Sequence, residues 1–293
     1  MQQKATRIIG IIGTAVCIGF VIKQPSWPTP DKLLVFVTFI FMMFGQGWAV
    51  VKRLFPFVAL LVTYDSFRSI APHLNKHVHY MEMVRVDRWL FGGTLPTTTL
   101  QNWIMHNSAQ WYDFLLYITY MMHFIMPIGL ALLVWKTRDK HYWRVVTTYL
   151  TVSFLGFFTF LTFPAAPPWL ASQNGYIEHV TRVSSNVWWA LGIHDFPTLY
   201  HKFSPNPVAA VPSLHAAYAT LLFIFVYKLY GKKWGLLAAL YPALIYFGTI
   251  YMGEHYAIDE ILGALYAAVA YFVVAWVWKK RTSKTNQANI QSN

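Results

Sequence analysis

The stretch YAIDEILGALYAAVAYFVVAWVW, residues 256–278, decides the fold class. Past the acids Asp259 and Glu260 it carries no charge to its end. An apolar run of about 18 residues or more reads as a helix that crosses a bilayer. Outward from it, Trp234–Met252, Val145–Phe163 and Leu33–Val51 have the same character, the last with Gln46 as its one strongly polar side chain. The 293-residue chain is 56% hydrophobic and 12% charged, against about 25% charged in soluble domains. These features exclude a soluble globule and predict an all-α, polytopic transmembrane helical bundle.

About eight spans are expected, at Ile8–Ile22, Leu33–Val51, Leu54–Ala71, Trp111–Trp135, Val145–Phe163, Leu214–Tyr230, Trp234–Met252 and Tyr256–Trp278. Between the third and fourth lies a segment rich in His, Met and Trp, His77–Asn107, in which Trp89-Leu90-Phe91 precedes a Gly-Gly turn. That pattern suits a helix lying flat at the interface. The longest polar connection, Pro164–Val211, has a length at which loops tend to carry function.

Charge sets the orientation. With eight crossings, Lys4, Arg7, Lys52, Arg53, Lys136, Arg138, Lys140, Arg144, Lys228, Lys232, Lys233, Lys279, Lys280, Arg281 and Lys284 share one side with a single acid, Asp139. The other side holds 8 of the 23 cations and 10 of the 11 acids. The positive-inside rule makes the first side, with both termini, cytoplasmic. The net charge of +12 therefore reflects helix-end cations, with some contact to anionic lipid. No basic stripe points to nucleic acid. The single Cys17 lies in the first apolar run and is read as a small hydrophobe there. Lys23-Gln24-Pro25 after that run offers no small-residue cleavage site, so the run is read as a retained anchor.

On the expected outer side, Pro212-Ser213-Leu214-His215 opens the sixth span and Gly253-Glu254-His255-Tyr256-Ala257-Ile258-Asp259 opens the eighth. His255 and Asp259 are four apart, hence one turn apart on one helix face. A carboxylate so placed fixes the tautomer of the imidazole and leaves its other nitrogen free to act as nucleophile or base. His215 arrives at the same depth from another helix. A lone histidine at a helix end is ordinarily a cap or an interfacial residue, and His123, inside the fourth span, is read as a hydrogen-bonded packing residue. Two histidines and a matched Asp on one side, each opening a helix, favour in-line phosphoryl transfer, one His attacking phosphorus and the other protonating the leaving oxygen.

Ala209-Ala210-Val211-Pro212-Ser213-Leu214-His215, followed 40 residues after its histidine by His255-Tyr256-Ala257-Ile258-Asp259, resembles the second and third signature motifs of the type 2 phosphatidic acid phosphatase superfamily. Phe163-Pro164-Ala165-Ala166-Pro167-Pro168-Trp169 resembles the branch of that superfamily containing inositol phosphorylceramide synthases. The resemblance runs from about Leu54 to Ala267. It implies a six-helix phosphatase-like core, with His255 as the nucleophile forming a phosphohistidine, Asp259 orienting it and His215 as the acid. Ser213 would hold phosphate through its hydroxyl and the amides that open the span; a helix N-terminus favours an anion independently.

The departures concern charge. The family's classical first motif carries Lys and Arg-Pro, whereas Thr162–Pro168 here holds no cation; an Arg usually precedes the third-motif His by six residues, where Thr249 stands; Leu214 replaces a usual Gly. Other outer cations must then balance the phosphate. Arg68 and Arg182 rank above Lys202, because a planar guanidinium binds phosphate bidentately; for Arg68 the competing reading is an ion pair with Asp65, three residues before it. Arg85 and Arg88 are assigned to lipid headgroups. Trp103, Trp111, Trp169, Trp188 and Trp189 are read as an interfacial aromatic belt, and Met42-Met43 and Met121-Met122 as span packing.

The expected protein is a membrane-embedded lipid-phosphate phosphatase or lipid phosphotransferase with a phosphohistidine intermediate, acting on a lipid phosphate or phospholipid among membrane lipids. Neither cofactor nor metal is expected. It forms one integral membrane domain: residues 1–53 as accessory spans, 54–279 as the catalytic core with outer loops 72–110 and 164–211, and 280–293 as a cytoplasmic tail, in a bacterial inner membrane. The alternative is a transporter or channel with a His/Asp ion or proton site, against which stands the lack of an inverted repeat. A metalloenzyme using His215, His255 and Asp259 is a third reading, without a His-Glu-x-x-His pattern to support it.

Overall fold

The computed structural model describes residues 2–23, 30–192 and 206–291. It is helical throughout, and the described residues hold no strand, only isolated bridges joining His79, Ala165 and Ala209. The long helices are α1 (Gln2–Lys23), α2 (Pro30–Met43), α3 (Gly47–Leu74), α6 (Trp111–Met121), α7 (Met126–Arg138), α8 (Tyr142–Thr162), α11 (Leu214–Tyr230), α13 (Leu240–Tyr251) and α14 (Ala257–Gln291). Shorter helices fill the connections: α4 (Met81–Leu90), α5 (Pro96–Ile104), α9 (Pro168–Gln173), α10 (Val183–Ala190) and α12 (Lys232–Ala238).

Each expected span is helical over most of its length. The stretches Gly47–Leu74, Met126–Thr162, Lys232–Tyr251 and Ala257–Arg281 are long and apolar enough to cross a membrane, and Leu34–Met43 and Leu214–Tyr230 are shorter apolar helices. The chain is an integral membrane protein. Two expected spans are interrupted: Trp111–Trp135 by the 3₁₀ turn Met122–Phe124 between α6 and α7, and Leu33–Val51 where α2 stops at Met43 and the chain turns through Phe44-Gly45-Gln46 before α3 begins. Gly45 takes a positive φ of 73° there, which other residues resist. The apolar count reads through this break because the turn residues are themselves uncharged.

The main core lies between α3, α7, α8, α11 and α14, with Phe57, Tyr64, Ile128, Tyr149, Leu221 and Phe225 at its centre. Within a bilayer, close packing and internal hydrogen bonds hold helices together more than the hydrophobic effect does. Both are present. Ala216, Ala217 and Ala219 of α11 and Ala267 and Ala270 of α14 are fully buried, and Tyr218 Oη meets Ser153 Oγ at 2.5 Å. A second cluster joins α6 and α10 to Tyr251 and Met252. A third packs Met83 and Val84 of α4 against Ala165, Val211 and Tyr256.

One end of the bundle gathers the polar connections. There α3 and α8 end together, the Asn75 side-chain amide donating to the Leu161 carbonyl at 3.0 Å. At the same end α11 begins, with Leu214 packed on Gly156 of α8. The first-motif segment is threaded between two neighbours: Ala165 N donates to Val208 O (2.8 Å) and Ala166 N to His79 O (3.0 Å). The loop rich in His, Met and Trp forms α4 and α5, joined through Gly92 and Gly93 at positive φ.

Candidate active site

Two helix starts define the site. Ser213 caps α11, its hydroxyl accepting from Ala216 N at 3.2 Å, and its own amide donates to the Asp259 carbonyl at 3.0 Å. His215 follows in the first turn. Before α14 the chain turns at Gly253, whose φ is 76° and where a Cβ would stand 2.9 Å from Val180 and 3.1 Å from the Thr181 carbonyl. Gln101 of α5 holds that crowded loop, donating to Thr181 O (2.7 Å) and Tyr251 O (2.8 Å). Glu254 and His255 come next, both with backbone amides on Thr249 O.

The structure brings His215, His255 and Asp259 together. His255 Nε2 faces His215 Nδ1 at 3.3 Å. On its other edge His255 Nδ1 lies 3.5 Å from Asp259 Oδ2, an ion-pair contact longer than a hydrogen bond. Asp259 is fully buried, and the same Oδ2 accepts the Tyr256 amide at 2.9 Å. Burial opposes charging of His255. The carboxylates of Asp259, Glu260 and Glu254 outweigh it and hold the imidazole above its ordinary range.

The His215 ring is gripped on both faces. Tyr120 stacks on one at 4.2 Å between centroids, and His123 contacts the other at 4.3 Å. His123 in turn stacks on Tyr218 at 4.5 Å. It does pack, as its sequence position implied, but its Nδ1 has no hydrogen-bond partner and its ring belongs to the site.

The other expected residues fall around this centre. Ser213 is buried and acts as the α11 cap. Arg68 pairs with Asp65 (Nε–Oδ1, 3.3 Å), and its backbone carbonyl accepts from Asn206 at 2.9 Å. Its charge lies within electrostatic reach of His123 and His215. Arg182 is held by Glu254, the neighbour of His255, through Nε–Oε1 at 2.8 Å and Nη2–Oε2 at 3.2 Å, and lies over the Trp169 ring. Burial would raise the Glu254 carboxyl, but Arg182 and the Ser184 hydroxyl bring it below the usual range. Lys202 lies outside the described residues. Arg88 pairs with Glu178 at 2.6 Å, while Arg85 is exposed. Of the aromatic belt, Trp103 and Trp111 are exposed, whereas Trp188 is buried and donates to Tyr117 Oη at 2.6 Å.

Sequence reasoning missed three acids. Glu254 clamps Arg182. Glu260, buried beside Asp259, accepts from Thr249 Oγ1 at 2.8 Å, so the residue at the family's usual Arg position supplies a hydroxyl donor. Asp87 reaches from α4 to the amides of Ala257 and Ile258, both at 2.9 Å. Adjacency to His255 and Asp259 was a usable signal for the first two; Asp87 left none. Among the described residues, no three or more His, Cys, Asp or Glu converge with the geometry of a metal site.

The constellation — two facing imidazoles, one backed by a carboxylate — suits phosphoryl transfer, and comparison with known proteins agrees. Residues 81–273 match the model of the PAP2 superfamily. Over 266 residues the chain is 30% identical to a phosphoinositol dihydroceramide synthase of Bacteroides thetaiotaomicron, covering 85% of this chain and 83% of that one. No solved structure matches the chain. The matched region opens at α4 and closes within α14, taking in the segments that carry His215, His255 and Asp259, and the chain belongs to the PAP2 superfamily of phosphatases and phosphotransferases, on the branch that resembles inositol phosphorylceramide synthases.

Proposed function

We propose that this membrane enzyme is a lipid phosphotransferase, moving a phosphoinositol-type headgroup from a phospholipid to the hydroxyl of a ceramide-like lipid through a phosphohistidine on His255. The observation that carries the reading is the 3.3 Å approach of His255 Nε2 to His215 Nδ1, with Asp259 behind the other His255 nitrogen. The donor and acceptor are suggested by the printed name of the 30%-identical relative.

In the first half-reaction the Nε2 lone pair of His255 forms a bond to phosphorus. The bond from phosphorus to the diacylglycerol oxygen breaks, and His215 gives that oxygen its proton. In the second half, the acceptor hydroxyl passes its proton to His215 while its oxygen attacks phosphorus, and the P–N bond breaks. Both histidines return to their starting states. Asp259 stabilises the imidazolium character that His255 gains; such acid–base assistance is worth about 10²–10⁴-fold. Arg68 and Arg182 are the cations we assign to the phosphate, with Ser213 and the start of α11 as its hydrogen-bonding floor. The charge asymmetry supports a position of this end of the bundle at the outer membrane face, and we assign residues 54–279 to the catalytic core.

The test is to incubate detergent-purified protein with phosphatidylinositol and dihydroceramide, wild type beside His255→Ala, and to analyse lipid products and free phosphate together. A new inositol-phosphate-bearing sphingolipid, absent with the variant, is the expected result. Inositol phosphate released without transfer would make the enzyme a hydrolase, and free phosphate from phosphatidic acid incubated in parallel would make it a phosphatase. Full activity in His255→Ala would overturn the mechanism.

A further inference from the structure

Asp87 lies on α4, about 170 residues from the helix it serves. Its side chain is buried, at 1% exposure, and both carboxylate oxygens are taken by α14: Oδ2 by the Ala257 amide and Oδ1 by the Ile258 amide, each at 2.9 Å. These two residues stand between His255 and Asp259. Burying a carboxylate is costly unless its bonds are met. Here the orphan amides of a helix start meet them, where the helix dipole also favours negative charge.

The arrangement does more than end a helix. Asp259 is the third residue of α14, a position from which a carboxylate readily turns back to cap its own first turn. It already accepts the Tyr256 amide, and its Oδ1 has no hydrogen-bond partner. Were the Ala257 and Ile258 amides unmet, they would compete with His255 for that carboxylate. Asp87 occupies them instead.

We propose that Asp87 is a positioning residue for the transfer reaction: by holding the first amides of α14 it keeps Asp259 turned to His255 and His255 turned to His215. This rests on the reading of those three residues as the reacting group. The segment matched to the family begins with α4, so the helix that carries Asp87 lies inside the family region. The charged and titratable groups around Asp87 and the adjoining Tyr256 are Asp259 on α14, Arg88 on α4 and Glu178 on the loop after α9. Burial raises its carboxyl to about 6, the two amide bonds pulling the other way and Asp259 adding to the rise.

The test uses full-length protein in detergent, comparing Asp87→Asn, which keeps one acceptor oxygen, with Asp87→Ala, which keeps none. A misplacement of about 1 Å lowers turnover about 10²-fold. We expect kcat to fall in the order wild type, Asn, Ala, to about a hundredth in the last, with KM for the lipid changed less than about twofold. The acid limb of the kcat profile should move to lower pH, because an Asp259 drawn to the amides no longer supports charge on His255, leaving only Glu260 and Glu254 to do so. Imidazole NMR of histidine-labelled protein, with the His255 signal assigned by its loss in His255→Ala, gives a readout independent of turnover. A shifted His255 signal in folded Asp87→Asn supports the proposal. Wild-type kcat in both variants, or an unmoved His255 signal in Asp87→Asn, overturns it. Should Asp87→Ala fail to fold, Asp87→Asn alone decides. Should wild type turn over no lipid, the functional reading fails while the NMR comparison still judges Asp87.

Discussion

A Cβ on Gly263 would stand 2.2 Å from the carbonyl oxygen of Ser213, so α14, which His255 precedes, and the start of α11, which carries His215, touch at their backbones. That contact sets the depth at which the two histidines meet. A methyl group there has no flexible neighbour to displace, since it also meets Ala216 Cβ at 2.9 Å. Gly263→Ala should push α14 off α11 and part the imidazoles. The expected outcome is folded protein with turnover lowered about 10²-fold, since catalysis tolerates little misplacement. Activity and thermal unfolding in detergent, measured side by side, check it; unchanged kcat would mean the helices slide without parting the histidines.

Removing each reacting group should separate their roles. His255→Ala should abolish turnover, because it removes the nitrogen assigned to the covalent intermediate. His215→Ala should lower kcat about 10²–10⁴-fold, the usual worth of general acid–base assistance. Substrates with better leaving groups should recover more in His215→Ala than in wild type, since they need less protonation. Equal gains in both would remove His215 from the acid's role.

Much of this was legible in the sequence, and the reasons are physical. Long uncharged runs can only be buried in lipid or protein, so the helices could be placed from composition alone. The pairing of His255 with Asp259 was expected from helical spacing, but His255 stands two residues before α14 begins and meets Asp259 from the preceding loop. What could not be read depends on contacts made across the chain. Asp87 is an ordinary acid on an amphipathic helix until α14 docks against it. Trp188 matches an interfacial tryptophan by position, yet it is buried because Tyr117 offers its indole a partner. His123 became part of the site because the 3₁₀ turn Met122–Phe124 aims it at His215. The break after Met43 escaped notice because a turn built from Phe, Gly and Gln adds no charge.

The two arginines should respond differently to truncation. Arg68 is one-fifth exposed, and its partner Asp65 is half exposed, outside the packed core. Arg68→Ala should therefore leave the fold intact and weaken substrate binding or slow transfer, with Arg68→Lys recovering part of the loss. Arg182→Ala strands the buried Glu254 carboxylate, a change that typically costs about 3–5 kcal/mol. Its first effect should be a lowered unfolding temperature, with Glu254→Gln in the same chain restoring part of it. A silent Arg68→Ala would move the phosphate's charge balance to Arg182.

His255 must be neutral to attack phosphorus, so its titration sets the acid limb of kcat/KM. Burial disfavours the imidazolium, but Asp259, Glu260 and Glu254 together win, and the folded value lies above the ordinary 6.5. The limb is accordingly expected above pH 6.5, activity rising only as pH passes through the raised value. The same shift bears on stability with the opposite sign. A group whose folded value is raised stabilises the protein fully below its unfolded value, and that contribution is lost as pH rises through the folded one. The enzyme therefore works best where this part of its stability has already been given up. Asp259→Asn should bring the limb down toward 6.5 and slow the reaction, whereas Glu254→Gln should move it less, being the weakest of the three influences. Rate profiles of the three proteins across the neutral range check this. A wild-type limb at or below 6.5, unmoved by Asp259→Asn, would show that His255 and Asp259 do not act as a pair.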